Sequence, residues 1–250
     1  MHLSFYRLPP PRLTGFYSRL LILQLCLLAT APLSAGEPYL APGQPDGVAL
    51  LPPAPAPGSE EEKADLTSTR SVFDGRTPAE EKRAFKDATL AFSIFKPAIG
   101  DVFRLEALPK TSALLQKVKK EIGSVIDIPK DHFKRVRPYK LDPHLSLRDP
   151  EPSFSYPSGH STRGTVYSLL LAELFPEKRD AILQVGREIG WDRVLIGKHY
   201  PTDVYAGRVL GKSIVRELQA SAVFRRDLAD ARAEIEAAAQ PVLAAPTEQR

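Results

Sequence analysis

Apolar residues in this chain recur three and four positions apart over long stretches, and that spacing constrains the fold more than any other feature. Leu114, Leu115, Val118 and Ile122 fall on one helical face, as do Ile182, Leu183, Val185 and Ile189, and again Val209, Leu210, Ile214 and Leu218. The alternation that marks a half-buried strand is nearly absent, and the run "SVIDIP" is too short to found a sheet. An all-α fold, a single-domain helical bundle, is therefore expected. One helix is expected from Thr77 to about Lys96, opened by the capping box Thr77-Pro78-Ala79-Glu80 with proline at its first position. Others are expected over Thr111–Ile122 with Gly123 as the stop, over 160–175 ended by Pro176, onward from Pro176, and over Thr202–Phe224. With 250 residues, 43% of them hydrophobic and 26% charged, the chain can bury one sizeable core.

The flanks differ in character. Arg7, Arg12 and Arg19 precede "LLILQLCLLATAPL", and Ser34, Ala35 and Gly36 follow it, the order of a secretory signal peptide over 1–36. The apolar run meets Pro32 before it reaches the about 20 residues of a membrane span, so no stable span is expected after the leader is removed. Cys26 is the only cysteine and lies in the leader, so no disulfide is expected in the mature chain, and Leu25 before it does not suit lipoprotein processing. Residues 37–62 are dense in Pro, Gly and Ala, which predicts an extended linker or N-terminal arm over 37–75. The folded domain is expected over 76–226, and an alanine-rich helix end fading into a tail over 227–250. A net charge of +4 and a pI near 9.1 suit an anionic ligand without the profile of a nucleic-acid binder. No internal repeat, glycine-rich phosphate loop, or His/Glu or Cys pair at metal spacing is present.

Three stretches carry candidate chemistry. "SYPSGHST" places His160 directly after Pro157-Ser158-Gly159 and before an apolar helical run. This is ordinary loop chemistry at a helix start, or an imidazole beside exposed N–H groups that suit an anion. "PKDHFKRVRPYK" holds Lys130, Lys134, Arg135, Arg137 and Lys140, a solvated charge run or a polyanion patch, and its His132 has no partner by spacing. In "GWDRVLIGKHYPTDVYAG" His199 and Asp203 stand four apart, a surface pair in a helix's first turn or a histidine whose tautomer is fixed by a carboxylate.

In order and spacing the three stretches match a known pattern: Lys130, six residues, Arg137-Pro138; then Pro157-Ser158-Gly159-His160; then Arg193, five residues, His199, three residues, Asp203. The chain resembles the type 2 phosphatidic acid phosphatase superfamily, and within it the bacterial class A non-specific acid phosphatases, over roughly residues 80 to 220. The resemblance implies an all-α catalytic core of the acid phosphatase and vanadium haloperoxidase type. It further implies that Lys130, Arg137 and Arg193 bind phosphate, with the Ser158 hydroxyl and the Gly159 N–H completing the cradle. His199 would be the nucleophile, Asp203 would orient it, and His160 would be the general acid and base. No metal and no cofactor are implied, because three cations, the backbone and a hydroxyl supply the positive charge. Small phosphomonoesters and inorganic phosphate are the implied partners, with a homodimer and a periplasmic or secreted location; nucleic acid is not. Transfer to alcohols beside hydrolysis stays open. A vanadate-dependent haloperoxidase and a non-catalytic anion-binding protein of the same fold are the alternatives. One position departs from the pattern: Asp192 stands where the family usually has serine, and a carboxylate there should be turned toward an Arg or Lys.

Overall fold

The computed structural model describes residues 36–146 and 150–243, and of 240–243 the backbone alone. The signal peptide expected over 1–36 lies outside the described residues, Gly36 apart, as does the tail from residue 244 onward. The described elements are helical throughout, with no strand among them. In chain order they are α1 (Gly47–Leu50), α2 (Glu60–Gly75), α3 (Pro78–Lys86), α4 (Lys96–Ile99) and α5 (Pro109–Phe133). There follow α6 (Pro138–Leu141), α7 (Gly159–Leu174), α8 (Arg179–Leu195), α9 (Pro201–Ala220) and α10 (Ala222–Leu243).

At the centre is α7, which packs on both α8 and α9 and buries Val166, Leu170, Leu171 and Leu174. Its neighbours come unusually close because glycines face its Ser and Thr side chains. A Cβ on Gly186 of α8 would stand 2.2 Å from Ser168 Oγ, and one on Gly207 of α9 would stand 2.6 Å from the Ser158 carbonyl oxygen. Close crossing draws the N-terminus of α7, the C-terminus of α8 and the N-terminus of α9 together, and the second and third sequence motifs sit on those ends.

Four expectations need correction. The helix expected to stop at Gly123 runs on to Phe133, because the apolar stripe continues through Val125, Ile126 and Pro129, and an outward-facing glycine costs only about 1 kcal/mol. Lys130 therefore sits in the last turn of a long helix. The helix expected over 77–96 ends at Lys86. Leu90 adopts a left-handed conformation (φ 49°), and Leu90, Phe92, Phe95 and Ile99 are all buried, a spacing that one straight helix cannot turn to one side.

The linker or arm expected over 37–75 is packed instead. Tyr39, Leu40 and Leu51 join the core. Ser59 caps α2 by accepting from the Glu62 N–H at 3.1 Å, and α2 buries Glu62, Asp65, Thr69 and Phe73, a mostly polar face that apolar periodicity does not register. The helix expected to run from Thr202 through Phe224 stops at Ala220, and beyond Ser221 the alanine-rich helix end expected from 227 belongs to a separate α10, which buries Phe224, Leu228, Ala231 and Ile235 and packs on α5. Glu234 of α10 also caps α5, accepting from the Lys110 and Thr111 N–H groups at 2.8 and 2.9 Å, where α5 has no capping side chain of its own.

Candidate active site

The site begins where α5 ends. Lys134 closes that helix in a left-handed conformation (φ 50°), and the backbone before Pro138 is extended, as a residue preceding proline requires. Side chains alternate along this stretch: Arg135 and Arg137 turn inward, while Lys134 and Val136 face solvent. The exposed His132 has no part in the site.

Arg137 is held by carbonyl oxygens. Its Nε donates to Ser153 at 2.8 Å and its Nη1 to Lys198 at 2.9 Å, while Nη2 reaches Phe154 at 3.3 Å. Lys130 Nζ donates to the Phe154 carbonyl at 2.6 Å. Burial, then the charge of Arg137, pushes Lys130 down to about 8.

At the end of α8, the turn Ile196–Tyr200 folds back on Arg193, whose carbonyl accepts from the N–H groups of Lys198 (2.9 Å) and His199 (3.2 Å). Gly197 at φ +67° makes that turn, and a Cβ there would stand 2.6 Å from the Leu145 carbonyl oxygen. His199 is 1% exposed and lies between two fixed partners. Its Nε2 is 3.2 Å from Arg137 Nη1 and its Nδ1 is 3.1 Å from Asp203 Oδ2. A guanidinium can only donate, so Nε2 holds the lone pair and Nδ1 carries the proton toward Asp203. Burial first, then Arg137, Lys130 and Arg193, hold His199 well below the ordinary histidine value, which favours the neutral ring.

Asp203 is the third residue of α9 and reaches back to the Tyr200 N–H at 3.1 Å. Its Oδ1 accepts from Arg135 Nη1 at 2.6 Å, and Ser155 Oγ also donates to it. Arg135 in turn donates through Nη2 to Asp65 of α2 at 2.8 Å and lies 3.7 Å over the Tyr200 ring. Asp65 also accepts from the Thr202 hydroxyl. A chain of buried charges thus runs from α2 to the imidazole.

At the start of α7, Ser158 is the N-cap and accepts from the Ser161 N–H at 3.3 Å, which leaves its own hydroxyl proton free to donate. Its N–H donates to the Asp203 carbonyl at 3.0 Å. Gly159 begins the helix with an N–H that has no intrahelical acceptor, and a Cβ there would come within 3.1 Å of Arg163 Nη1. His160 is partly exposed, and its Nε2 is 3.0 Å from the Ala88 carbonyl, in the 3₁₀ turn that follows α3. Burial, then Arg193, pushes it down to about 4.

Glu151 closes the outer side. It pairs with Arg137 Nη2 at 2.8 Å and with Arg193 Nη2. Burial alone would raise its carboxyl, but Arg193 and Arg137 outweigh that and hold it down to about 2; the same carboxylate acts on both His199 and His160. Lys130, Arg137, Arg193, His199, Asp203, Ser158 and Gly159 are therefore linked into one cluster through the Phe154 and Asp203 carbonyls and Glu151, and the charges of Arg193 and Glu151 bear on His160. Asp192 points away from that cluster: Arg83 of α3 grips its carboxylate through Nε (3.1 and 3.2 Å) and Nη2 (2.8 Å). Among the described residues no three His, Cys, Asp or Glu side chains are grouped to hold a metal ion.

Spacing missed Asp65, Arg135 and Glu151. Arg135 alone left a signal, an arginine two places before another in an extended stretch ending at proline.

The family model described as the PAP2 superfamily matches residues 117–225. A non-specific acid phosphatase of Salmonella typhi is 29% identical over 231 residues, 87% of this chain and 92% of that one. A non-specific acid phosphatase of Providencia stuartii is 31% identical over 76% of this chain and 80% of its own length. An acid phosphatase of Zymomonas mobilis is 32% identical over 77% of this chain and 76% of its own. Likeness along that much of both partners, centred on the helices that build the pocket, places the chain in the PAP2 superfamily with the bacterial acid phosphatases.

Proposed function

We propose that the chain is a metal-independent acid phosphatase that hydrolyses phosphate monoesters through a phosphohistidine. The observation that carries this is the fixed tautomer of His199, whose Nε2 lone pair faces the cluster of Lys130, Arg137 and Arg193. Nε2 attacks phosphorus as the ester P–O bond breaks, and protonated His160 gives its proton to the leaving oxygen. Asp203 holds the positive charge that appears on the His199 ring. Neutral His160 then takes a proton from water, whose oxygen attacks phosphorus and breaks the N–P bond, releasing phosphate. The cations, with the Ser158 hydroxyl and the Gly159 N–H, stabilise the equatorial oxygens. Export through the N-terminal leader places this chemistry in the periplasm or outside the cell, and no described helix is long and apolar enough to cross a membrane.

Two protonation states must coexist, a neutral His199 and a protonated His160. His160 is held down to about 4 by its burial and by Arg193, with Arg163 adding to the effect and Glu151 and the Ala88 carbonyl opposing it. A bound phosphoryl group offsets Arg193 and raises His160. Phosphate release from an aryl phosphate across pH, with and without a chelator, tests the proposal. The expected result is activity on the acid side, unchanged by chelator, with kcat/KM declining at lower pH than kcat does. Loss of activity on chelation, or an alkaline optimum, overturns it.

A further inference from the structure

The carboxylate of Glu151 stands where the phosphoryl oxygens are expected. Arg137 spends Nε on Ser153, Nη1 on the Lys198 carbonyl and His199 Nε2, and Nη2 on Ser153, Phe154 and Glu151. The guanidinium that faces the nucleophile is thus the one that Glu151 holds, and the other carboxylate oxygen is on Arg193. Carboxylate and phosphate present the same paired oxygens to a guanidinium. Glu151 also has a way out. Its N–H is anchored to the Tyr139 hydroxyl at 2.9 Å, so the side chain can rotate without moving the backbone, and its side chain is 26% exposed, where that of Asp203 is 0%.

We propose that Glu151 is a resident anion of the phosphate seat: substrate binds by displacing its carboxylate from Arg137 and Arg193, and its return helps to expel phosphate. This rests on the phosphatase function proposed above. The exchange is one of anions and not a protonation switch, since the carboxylate stays ionised down to about 2. A seat closed nine-tenths of the time weakens the apparent affinity of its ligand by about tenfold. Glu151 is on this view a residue that sets KM and product inhibition.

The test is the inhibition constant for inorganic phosphate and the KM for an aryl phosphate in the unaltered protein, Glu151→Gln and Glu151→Ala. Both constants are expected to fall by about tenfold in each variant, with kcat equal or lower because phosphate leaves more slowly. If Glu151 instead holds the arginines in place for substrate, both constants rise; rising or unchanged constants overturn the proposal. Phosphate binding to all three proteins with equal affinity sinks this inference alone, whereas no phosphate binding by any of them sinks the proposed function with it.

Discussion

The two walls of the pocket are built on opposite principles. Around His199 every polar neighbour is fixed: Asp203 is held by Arg135, Ser155 and the Tyr200 N–H, and Arg135 is held by Asp65. Around His160 and Glu151 the partners are exchangeable, a single carbonyl at 3.0 Å for the ring and a pair of guanidinium groups for a partly exposed carboxylate. On the proposed mechanism the difference follows from what each wall would do. A nucleophile gains from a single geometry fixed before substrate arrives, because orientation is then prepaid. An acid that must accept, donate and accept a proton again, and an anion that must leave, need weaker ties. One residue type, histidine, serves both ends because its surroundings differ.

The sharpest way to break that comparison is to remove each imidazole. His199→Ala should lower kcat by three decades or more for every ester, as loss of a nucleophile does. His160→Ala should depend on the leaving group: a small loss for an aryl ester whose oxygen leaves without a proton, and about 10²- to 10⁴-fold for an alkyl ester. Steady-state rates on one ester of each kind decide it. Equal losses on both esters in both variants would mean that the two walls do not divide the work.

A smaller effect tests whether rigidity of the inner wall reaches back to α2. Asp65→Asn keeps the shape of the side chain but removes the charge that holds Arg135 against Asp203, and Arg135→Lys removes the two-ended fork. Both should lower kcat on the order of 10- to 100-fold, the cost of a displaced catalytic group, while KM changes little because neither residue faces the pocket. A rise in KM with kcat unchanged would show that the network shapes the seat and not the nucleophile.

Asp65 also shows what the sequence withheld. The motif residues were legible because they sit in three short stretches at helix ends with fixed spacings, and the helices themselves because their buried faces are apolar. The face that α2 buries is mostly polar, and its partner Arg135 lies 70 residues away in a run of charges, so hydrophobic periodicity has nothing to register. Proline and glycine around residues 37–62 added to this, since composition registers chain stiffness and not the contacts of Tyr39 or Leu51. Glu151 sits among prolines in "RDPEPS", where no period exists at all. The glycines of α8 and α9 were visible as residues, but the close crossing that they permit depends on the Ser and Thr of α7 opposite them.

The smallest effect on turnover is expected at Asp192, just outside both walls. Its side chain is 1% exposed, and Arg83, 36% exposed, grips it from α3. Asp192→Ser should change phosphate affinity by less than about threefold, since the charge it removes is already matched, and should cost under about 1 kcal/mol because Arg83 then turns to water. Arg83→Ala is the harsher change, for it strands a buried carboxylate. The cost should be about 2 kcal/mol, below the about 3–5 kcal/mol of a fully buried pair, because water can enter where Arg83 lay. The sign with pH distinguishes this from a packing defect. Burial already raises the Asp192 carboxyl, and Arg83 opposes that; nearby Asp87 is pushed up to about 6 by burial and then by Asp192. Both folded-state values lie above the unfolded ones, so the penalty of ionisation is absent below the unfolded value and grows as pH rises through the folded value. Removing Arg83 raises both further. The loss of melting temperature in Arg83→Ala should therefore be larger at pH 7 than at pH 4, and a loss that does not vary with pH would assign the pair a packing role alone.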